Sequence, residues 1–357
     1  MVMQKSVEIE KSEVKNLLAS MLESGNIDAF LIPLKAPYGF AVPSLVKKKD
    51  KIALANIFTP AFYMNSASVL YALNSDGKKI GVVLRPCEIR AAVELVKLRQ
   101  IKRESLLIIG VDCIGTYGIK DCVKYGIGDE ISQKDAEELE KKGCKMRDSC
   151  QACTYRVLDS ADIAVQWIGL AKPVVSAISK EGETALSKYQ LKDLDLGDAR
   201  SKEIAQQKQK AEKKRAEIYS ALGEKTKSLD GWLSILSNCI SCHNCMTVCP
   251  VCYCNECILD QPLTNPEGEE LLSQANIRGS LKMPSDALFY HLTRLNHMAV
   301  ACVECGMCEL ACPMDIPLGS IYPSVAEKVQ KMFEYISGRD IKEPLPMTIF
   351  RENELEE

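Results

Sequence analysis

No stretch of this sequence approaches the roughly 18–20 consecutive apolar residues that a membrane span requires. The opening residues, MVMQKSVEIEKSEV, are charged and lack the apolar core of a secretory signal. An excess of one charge is also missing. The 45 Lys and Arg face 48 Asp and Glu, and a net charge of −3 offers no footprint for nucleic acid. No phosphate loop, paired-carboxylate site, nucleophile–base pair or metal-hydrolase signature stands out. A membrane-embedded, nucleic-acid-binding or hydrolytic role is therefore not expected, and the expected location is the cytoplasm.

What the chain has in excess is cysteine: 17 in 357 residues, with 46% hydrophobic residues, enough for ordinary cores. In a reducing compartment so many thiols read as metal ligands rather than disulfides. The length suggests two or three domains.

Eleven of the cysteines lie between Cys239 and Cys312. They include Cys239-x2-Cys242-x2-Cys245-x3-Cys249-Pro250 and Cys302-x2-Cys305-x2-Cys308-x3-Cys312-Pro313. Each run has the spacing that holds a 4Fe-4S cubane. Three close thiolates take three irons, and the Cys before Pro takes an iron of the other cluster in two-cluster ferredoxins. One cubane is thus expected on Cys239, Cys242, Cys245 and Cys312, and another on Cys302, Cys305, Cys308 and Cys249. Zinc sites use pairs of C-x2-C or mixed Cys/His sets instead. The crossing ties the halves together, so the region is expected to fold only with its metal bound. Cys252, Cys254 and Cys257 exceed the need of one cubane, as alternative ligands, modulators or holders of another metal. His243 lies inside the first loop, placed to tune a potential by hydrogen bonding. His291 and His297 read as helix residues, because cysteines already suffice as ligands.

The N-terminal half reads as α/β. Lys11 to Asn26 has apolar residues at three- and four-residue steps and predicts a helix. Strands are expected over Ile27–Leu34, Lys51–Phe58, Lys79–Leu84 and Leu106–Val111, and helices over Asn65–Leu73 and Glu88–Lys97. The alternation implies a largely parallel sheet. Cys87 and Cys113 fall just past the C-terminal ends of two strands, where open α/β sheets bind ligands. With Cys150 and Cys153 they make a third candidate cubane; the competing reading is small buried residues. Cys122 and Cys144 read as unligated.

Asp198–Ser228 is charged and helix-forming, and predicts a long, mostly solvated linker helix carrying the basic residues Lys208, Lys210, Lys213, Lys214 and Arg215. Beyond it the expected order is a loop and short helix over Pro262–Leu281, a helix starting at Pro284-Ser285-Asp286 with Leu288, Phe289, Leu292 and Leu295 on one side, a packing helix over Ser320–Gly338, and a frayed tail from Arg351 to Glu357.

The segments KIGVVLRPCEIRAAVEL, LLIIGVDCIGTYGI and CQACTYRVLDSADIAV resemble the β-subunit family of coenzyme F420-reducing hydrogenase and F420-linked formate dehydrogenase, the formate dehydrogenase subunits best because they also carry two ferredoxin motifs. The resemblance implies a flavin-type α/β domain over residues 1–197 with one 4Fe-4S cluster on Cys87, Cys113, Cys150 and Cys153. A charged linker helix at 198–230, a mainly helical two-cluster ferredoxin domain at 231–340 and a tail at 341–357 complete the expected layout. It further implies FAD, with Phe62, Tyr63, Asn65, Ser66 and Arg85 as contacts from their place in the matched segment. Electrons would pass between F420 and a partner redox subunit: a formate dehydrogenase α subunit, a hydrogenase or a heterodisulfide-reductase-like protein. Two positions depart from the family. Its Gly-Gly turn before the first helix is Lys11-Ser12-Glu13 here, and its Gly-Asp after ADIAV is Gln166-Trp167. Glycine would let the backbone come close to a flavin diphosphate, and Lys11-Ser12-Glu13 does not suit that approach. Lys11-Ser12-Glu13 favours an alternative, a flavin-poor iron–sulfur relay that does not bind F420.

Overall fold

The computed structural model describes residues 4–73, 77–131, 133–157, 160–254, 256–261, 267–279 and 287–350. Its first half holds eight strands: β1 (Gln4–Glu8), β2 (Ala29–Lys35), β3 (Ala41–Val46), β4 (Ile80–Leu84), β5 (Leu106–Val111), β6 (Ile163–Gln166), β7 (Val174–Ala177) and β8 (Lys192–Leu194). They form one sheet in the order β3-β2-β4-β5-β6-β7-β1-β8. Helices α1 (Lys11–Glu23), α2 (Lys49–Ile52), α3 (Ala67–Leu70), α4 (Pro86–Lys97), α5 (Ile119–Tyr125), α6 (Gln133–Lys141), α7 (Asp148–Gln151) and α8 (Lys180–Ala185) accompany it. Then come α9 (Gly197–Lys225), α10 (Leu229–Leu236), α11 (Asn244–Thr247), α12 (Gly268–Arg278), α13 (Ala287–Met298), α14 (Met307–Leu310) and α15 (Leu318–Met332), with no strand among the described residues beyond Gly197.

The sheet is mixed, not largely parallel. Only β2-β4, β4-β5 and β5-β6 pair in parallel; the other pairs are antiparallel. Its central strands are covered on both faces. Leu107, Ile109 and Val111 point to the side of α1, while Leu106 and Ile108 point to the side of α4. Two-faced burial makes such strands read as unbroken apolar runs. The anticipated strand over Lys51–Phe58 is instead α2 followed by turns. The strand there is β3, at the sheet edge, where Pro43 faces Pro33 and the ladder needs an N–H from neither. The expected helix over Asn65–Leu73 shrinks to α3. On α1, Val14, Leu17, Leu18 and Met21 are buried, each contributing about 2 kcal/mol.

On α4, Glu88, Arg90 and Glu94 are buried among apolar neighbours. They make sense once the C-terminal half is in place. Arg90 donates from Nε to Ser337 O (2.9 Å) and from Nη1 to Val303 O (3.2 Å). Glu94 Oε1 accepts from Tyr335 OH (2.6 Å) and Gly338 N (2.7 Å). Val303, from the second cysteine run, sits in the core beside α4. Helix α4, with Cys87 in its first turn, is thus the docking rail for the cysteine-rich half.

The linker helix α9 is less solvated than its composition suggests. Arg215 donates from Nε to Ala152 O (3.0 Å) and pairs with Glu304 and, at 3.9 Å, with Glu327. On α13 the buried residues are Leu288, Tyr290, His291, Arg294, Leu295 and Met298, whereas Phe289 and Leu292 are exposed. The buried stripe is therefore turned from the one expected, and it carries polar side chains. The expected helix start at Pro284-Ser285-Asp286 and the tail from Arg351 lie outside the described residues. No described helix is long and apolar enough to cross a membrane.

Candidate metal centres

The two cysteine runs adopt the same backbone path. In the first, Ser241 and His243 have φ of 51° and 57°; in the second, Glu304 and Gly306 have 61° and 67°. These left-handed residues follow the same cysteines of each motif. Such turns aim successive N–H groups into one concavity, an arrangement that suits anionic iron–sulfur groups. A non-glycine residue there costs on the order of 1–3 kcal/mol and persists only when its surroundings demand it. Short helices α11 and α14 follow the loops and pack against each other.

The runs exchange their last cysteine. Cys239, Cys242, Cys245 and Cys312 line one small cavity, with His243, Tyr290 and His291 on its wall. Cys249, Cys302, Cys305 and Cys308 line another, with Arg294 and Tyr322. Among the described residues no three Cys, His, Asp or Glu could hold a single metal ion. A tetrahedral zinc needs sulfurs within about 3.8 Å of one another; a cubane spreads four thiolates around a larger body. The donor set, the two cavities and the folded loops all fit cubanes.

Electrostatics differ around the rings. The hydrogen bond from Cys252, aided by the Arg294 charge, holds the Cys249 thiol below its ordinary range against burial. Burial pushes Cys305 up to about 11 and raises Cys302 and Cys308. Metal must displace these protons, so loading is pH-dependent. His243 Nδ1 lies 2.9 Å from Asp260 Oδ1, and its ring stacks on Tyr290 at 4.4 Å. Tyr290 OH lies 3.6 Å from Cys245 Sγ. Cys252 is hydrogen-bonded to Cys249, Cys257 reaches Met246 Sδ at 3.7 Å, and Cys254 is exposed.

A third group forms at the sheet. Cys87 opens α4, Cys113 follows β5, and α7 supplies Cys150, with Cys153 just beyond it. Gly115, at φ 115°, allows the loop after β5 to press against α7: a Cβ there would meet Met146 Sδ at 2.5 Å and Cys150 Cβ at 3.3 Å. Burial raises Cys87 and Cys113 against the opposing charge of Arg85. For Cys150, burial is outweighed by the Arg147 guanidinium and the Thr116 hydroxyl, and the thiol lies below its ordinary range. Arg147 donates to Thr116 Oγ1 (2.8 Å), Cys150 Sγ (3.4 Å) and Gly306 O (3.2 Å), joining this group to the second cysteine loop. Cys305 is an electrostatic neighbour of Cys87. The residues expected to be unligated, Cys122 and Cys144, are buried elsewhere with Ala61, Tyr117 and Ile127.

Of the expected flavin contacts, Phe62, Asn65, Ser66 and Arg85 are buried and Tyr63 is half-buried. Arg85 stacks on Phe62 (3.5 Å) and pairs with Glu88. Tyr63 meets Phe40 edge-on, and Asn65 faces Cys305. Tyr63 OH, Asn65 Nδ2, Ser66 Oγ and Arg85 Nη2 are buried without a hydrogen-bond partner. A group with hydrogen-bonding atoms would answer these unpartnered positions. The start of α1 does not fit a diphosphate. Glu13 Oε2 caps the backbone N–H of Glu10 (2.7 Å), while Lys11 lies over Trp167 (4.8 Å) and pairs with Glu130. Sequence reasoning missed Arg147, three residues before Cys150 in the chain, and Arg294, which is next to cysteines only in space. The one hint of Arg294 is its place beside the three- and four-residue stripe of α13.

Comparison with known proteins matches these features. The model of the 4Fe-4S dicluster domain family matches residues 235–316. The F420-dependent formate dehydrogenase subunit beta of Methanocaldococcus jannaschii is 29% identical over 301 residues, 74% of each chain. The F420-dependent formate dehydrogenase 1 subunit beta of Methanococcus maripaludis is 30% identical over 378 residues of alignment, 94% of each chain. A solved structure, the xenon-derivatised F420-reducing NiFe hydrogenase complex of Methanosarcina barkeri, overlays with a TM-score of 0.48 at 18% identity, covering 64% of this chain and 94% of that one. With cysteine runs that interlock in space and near-complete alignment to a relative at 30% identity, this chain belongs to the oxidoreductase family of F420-dependent formate dehydrogenase beta subunits.

Proposed function

We propose that the chain is an iron–sulfur electron-transfer subunit that links coenzyme F420, through FAD, to a catalytic redox partner such as a formate dehydrogenase α subunit. The observation that carries this reading is the crosswise grouping of Cys239, Cys242, Cys245 and Cys312, and of Cys302, Cys305, Cys308 and Cys249, around two neighbouring cavities. These eight residues would hold two 4Fe-4S clusters. Cys87, Cys113, Cys150 and Cys153 would hold a third, and Phe62, Tyr63, Asn65, Ser66 and Arg85 would line the flavin. When bound, the clusters carry single electrons and the flavin converts between these and a hydride.

The residues support an ordered path. Arg147 and the Cys87–Cys305 proximity join the sheet-end group to the second motif. The exchanged cysteines join the second motif to the first. Cys242 reaches solvent at the far end, where a partner would meet it. The domains would follow this division: residues 1–197 for the sheet-end group, α9 as a link over 198–230, and 231–340 for the paired clusters, with 341–357 as a tail.

A second reading, a flavin-poor relay in a heterodisulfide-reductase-like or hydrogenase complex, is favoured by the side chains that fill the start of α1. Anoxic purification separates the two. The first predicts about twelve irons per chain, flavin released on denaturation, and bleaching by reduced F420. The second predicts the same iron with no flavin. Iron-free, colourless and folded protein overturns both.

A further inference from the structure

Among the described residues five arginines are buried almost completely, and four have partners. Arg85 pairs with Glu88, Arg90 with two carbonyls, Arg147 with Thr116 and Gly306 O, and Arg200 with Asp112. Arg294 on α13 is the exception. It is 1% exposed, and none of Nε, Nη1 and Nη2 has a hydrogen-bond partner. No carboxylate pairs with it among the described residues. Its ring contact is Tyr322, 4.7 Å away, and the thiols of Cys249, Cys245 and Cys252 lie within reach of its charge. Tyr322 is fixed in turn by a 2.6 Å hydrogen bond with His291 Nδ1.

A guanidinium stays charged at any pH a protein meets. Burying it unpaired is strongly destabilising, because the cost of removing it from water goes unanswered. An anion must therefore stand opposite. The surroundings show where. Arg294 lines the cavity shared by Cys249, Cys302, Cys305 and Cys308. Its charge also acts on Cys245, of the other ring. It belongs to the insertion between the two cysteine runs, which gives that insertion a purpose: it delivers a cation between them.

We propose that Arg294 is the fixed counter-charge of the two metal centres, strongest at the one held by Cys302, Cys305, Cys308 and Cys249, and that it raises the reduction potential there. This rests on the reading of the cysteine rings as cluster sites. Adding an electron makes a centre more negative. A buried cation at its edge favours the reduced form, since local charge and hydrogen bonding set cluster potentials. Tyr322 is the positioning residue, holding the guanidinium by its ring face.

The test compares full-length wild type, R294Q and R294K, prepared anoxically, by iron and sulfide content and by electron paramagnetic resonance at fixed poised potentials. Signals are assigned with Cys302→Ser and Cys239→Ser. At the Cys302 centre, R294Q is expected to lower the ratio of reduced to oxidised cluster about tenfold, equivalent to about 59 mV for one electron. The other centre should shift less, and R294K should stay within about threefold of wild type at both. Wild-type ratios in iron-replete R294Q overturn the proposal while leaving the cluster reading intact. If R294Q loses iron, R294K decides: full iron with a near-wild-type ratio supports the fixed charge, and loss of iron there too overturns it in favour of shape. Wild-type protein without iron overturns the cluster reading and this inference with it.

Discussion

At the scale of single residues, Cys312 tests the exchange between the runs. It follows the second motif in the chain but shares a cavity with Cys239, Cys242 and Cys245. Cys312→Ser should remove the same cluster as Cys239→Ser, about four irons. The double variant C239S/C312S should lose no more iron than either alone, whereas C302S/C312S should lose about twice as much; iron analysis of anoxic preparations checks this. Cys122 and Cys144 give the opposite expectation. Burial and the neighbouring Cys144 push the Cys122 thiol up to about 12. Its contribution to stability is intact below the unfolded thiol range and is lost as pH rises toward that value. At pH 8 both residues are thiols in a closed apolar cluster, so iodoacetamide should label them only after unfolding. C122A and C144A should keep full iron, at a cost of about 1 kcal/mol each.

At the scale of elements, α9 and the second cysteine loop hold the two halves together. Arg215 reaches from α9 to Ala152 O beside Cys153 and to Glu304 beside Cys305. Arg215→Ala leaves Glu304 buried without its cation and should destabilise the chain by about 3 kcal/mol, measured by denaturant unfolding of holoprotein. Gly306 takes φ 67°, and a Cβ there would meet Ser149 Oγ at 2.0 Å. Gly306→Ala should therefore separate the loop from α7 and release the iron that Cys302, Cys305 and Cys308 are proposed to hold, with the sheet left folded. Circular dichroism and iron analysis of the same sample check both parts.

At the scale of the whole molecule, the sheet and the cysteine-rich half rest on different physics. Around the sheet, α1 and α4 bury aliphatic side chains on both faces. In the second core, cysteines stand among the packed residues, so its folding is expected to depend on what they bind. Chelation of iron under reducing conditions should melt helices beyond Gly197 and expose them to protease. The strand signal should survive to higher denaturant. Simultaneous loss of both halves would show that docking along α4, through Arg90 and Glu94, governs the sheet as well.

Elements with strong local patterns were legible in the chain itself: α1 from its apolar spacing, β5 from LLIIGV, and the length of α9 from its helix formers. The cysteine spacing specified iron chemistry because thiolates must meet irons at fixed separations along a short loop. Other features carried no local mark. Pro43 hid β3, an edge strand that tolerates proline; β1 and β8 are short and polar, and β7 is only four residues long. The stripe of α13 was misplaced because Phe289 and Leu292 are apolar yet exposed, while Arg294 is charged yet buried. Which thiols share a cavity, which arginines answer which carbonyls and why α4 carries buried charge were decided only by the tertiary structure. Charge pairing and desolvation depend on distances in space, and neighbours such as Arg90 and Ser337 or Cys245 and Cys312 lie far apart along the chain.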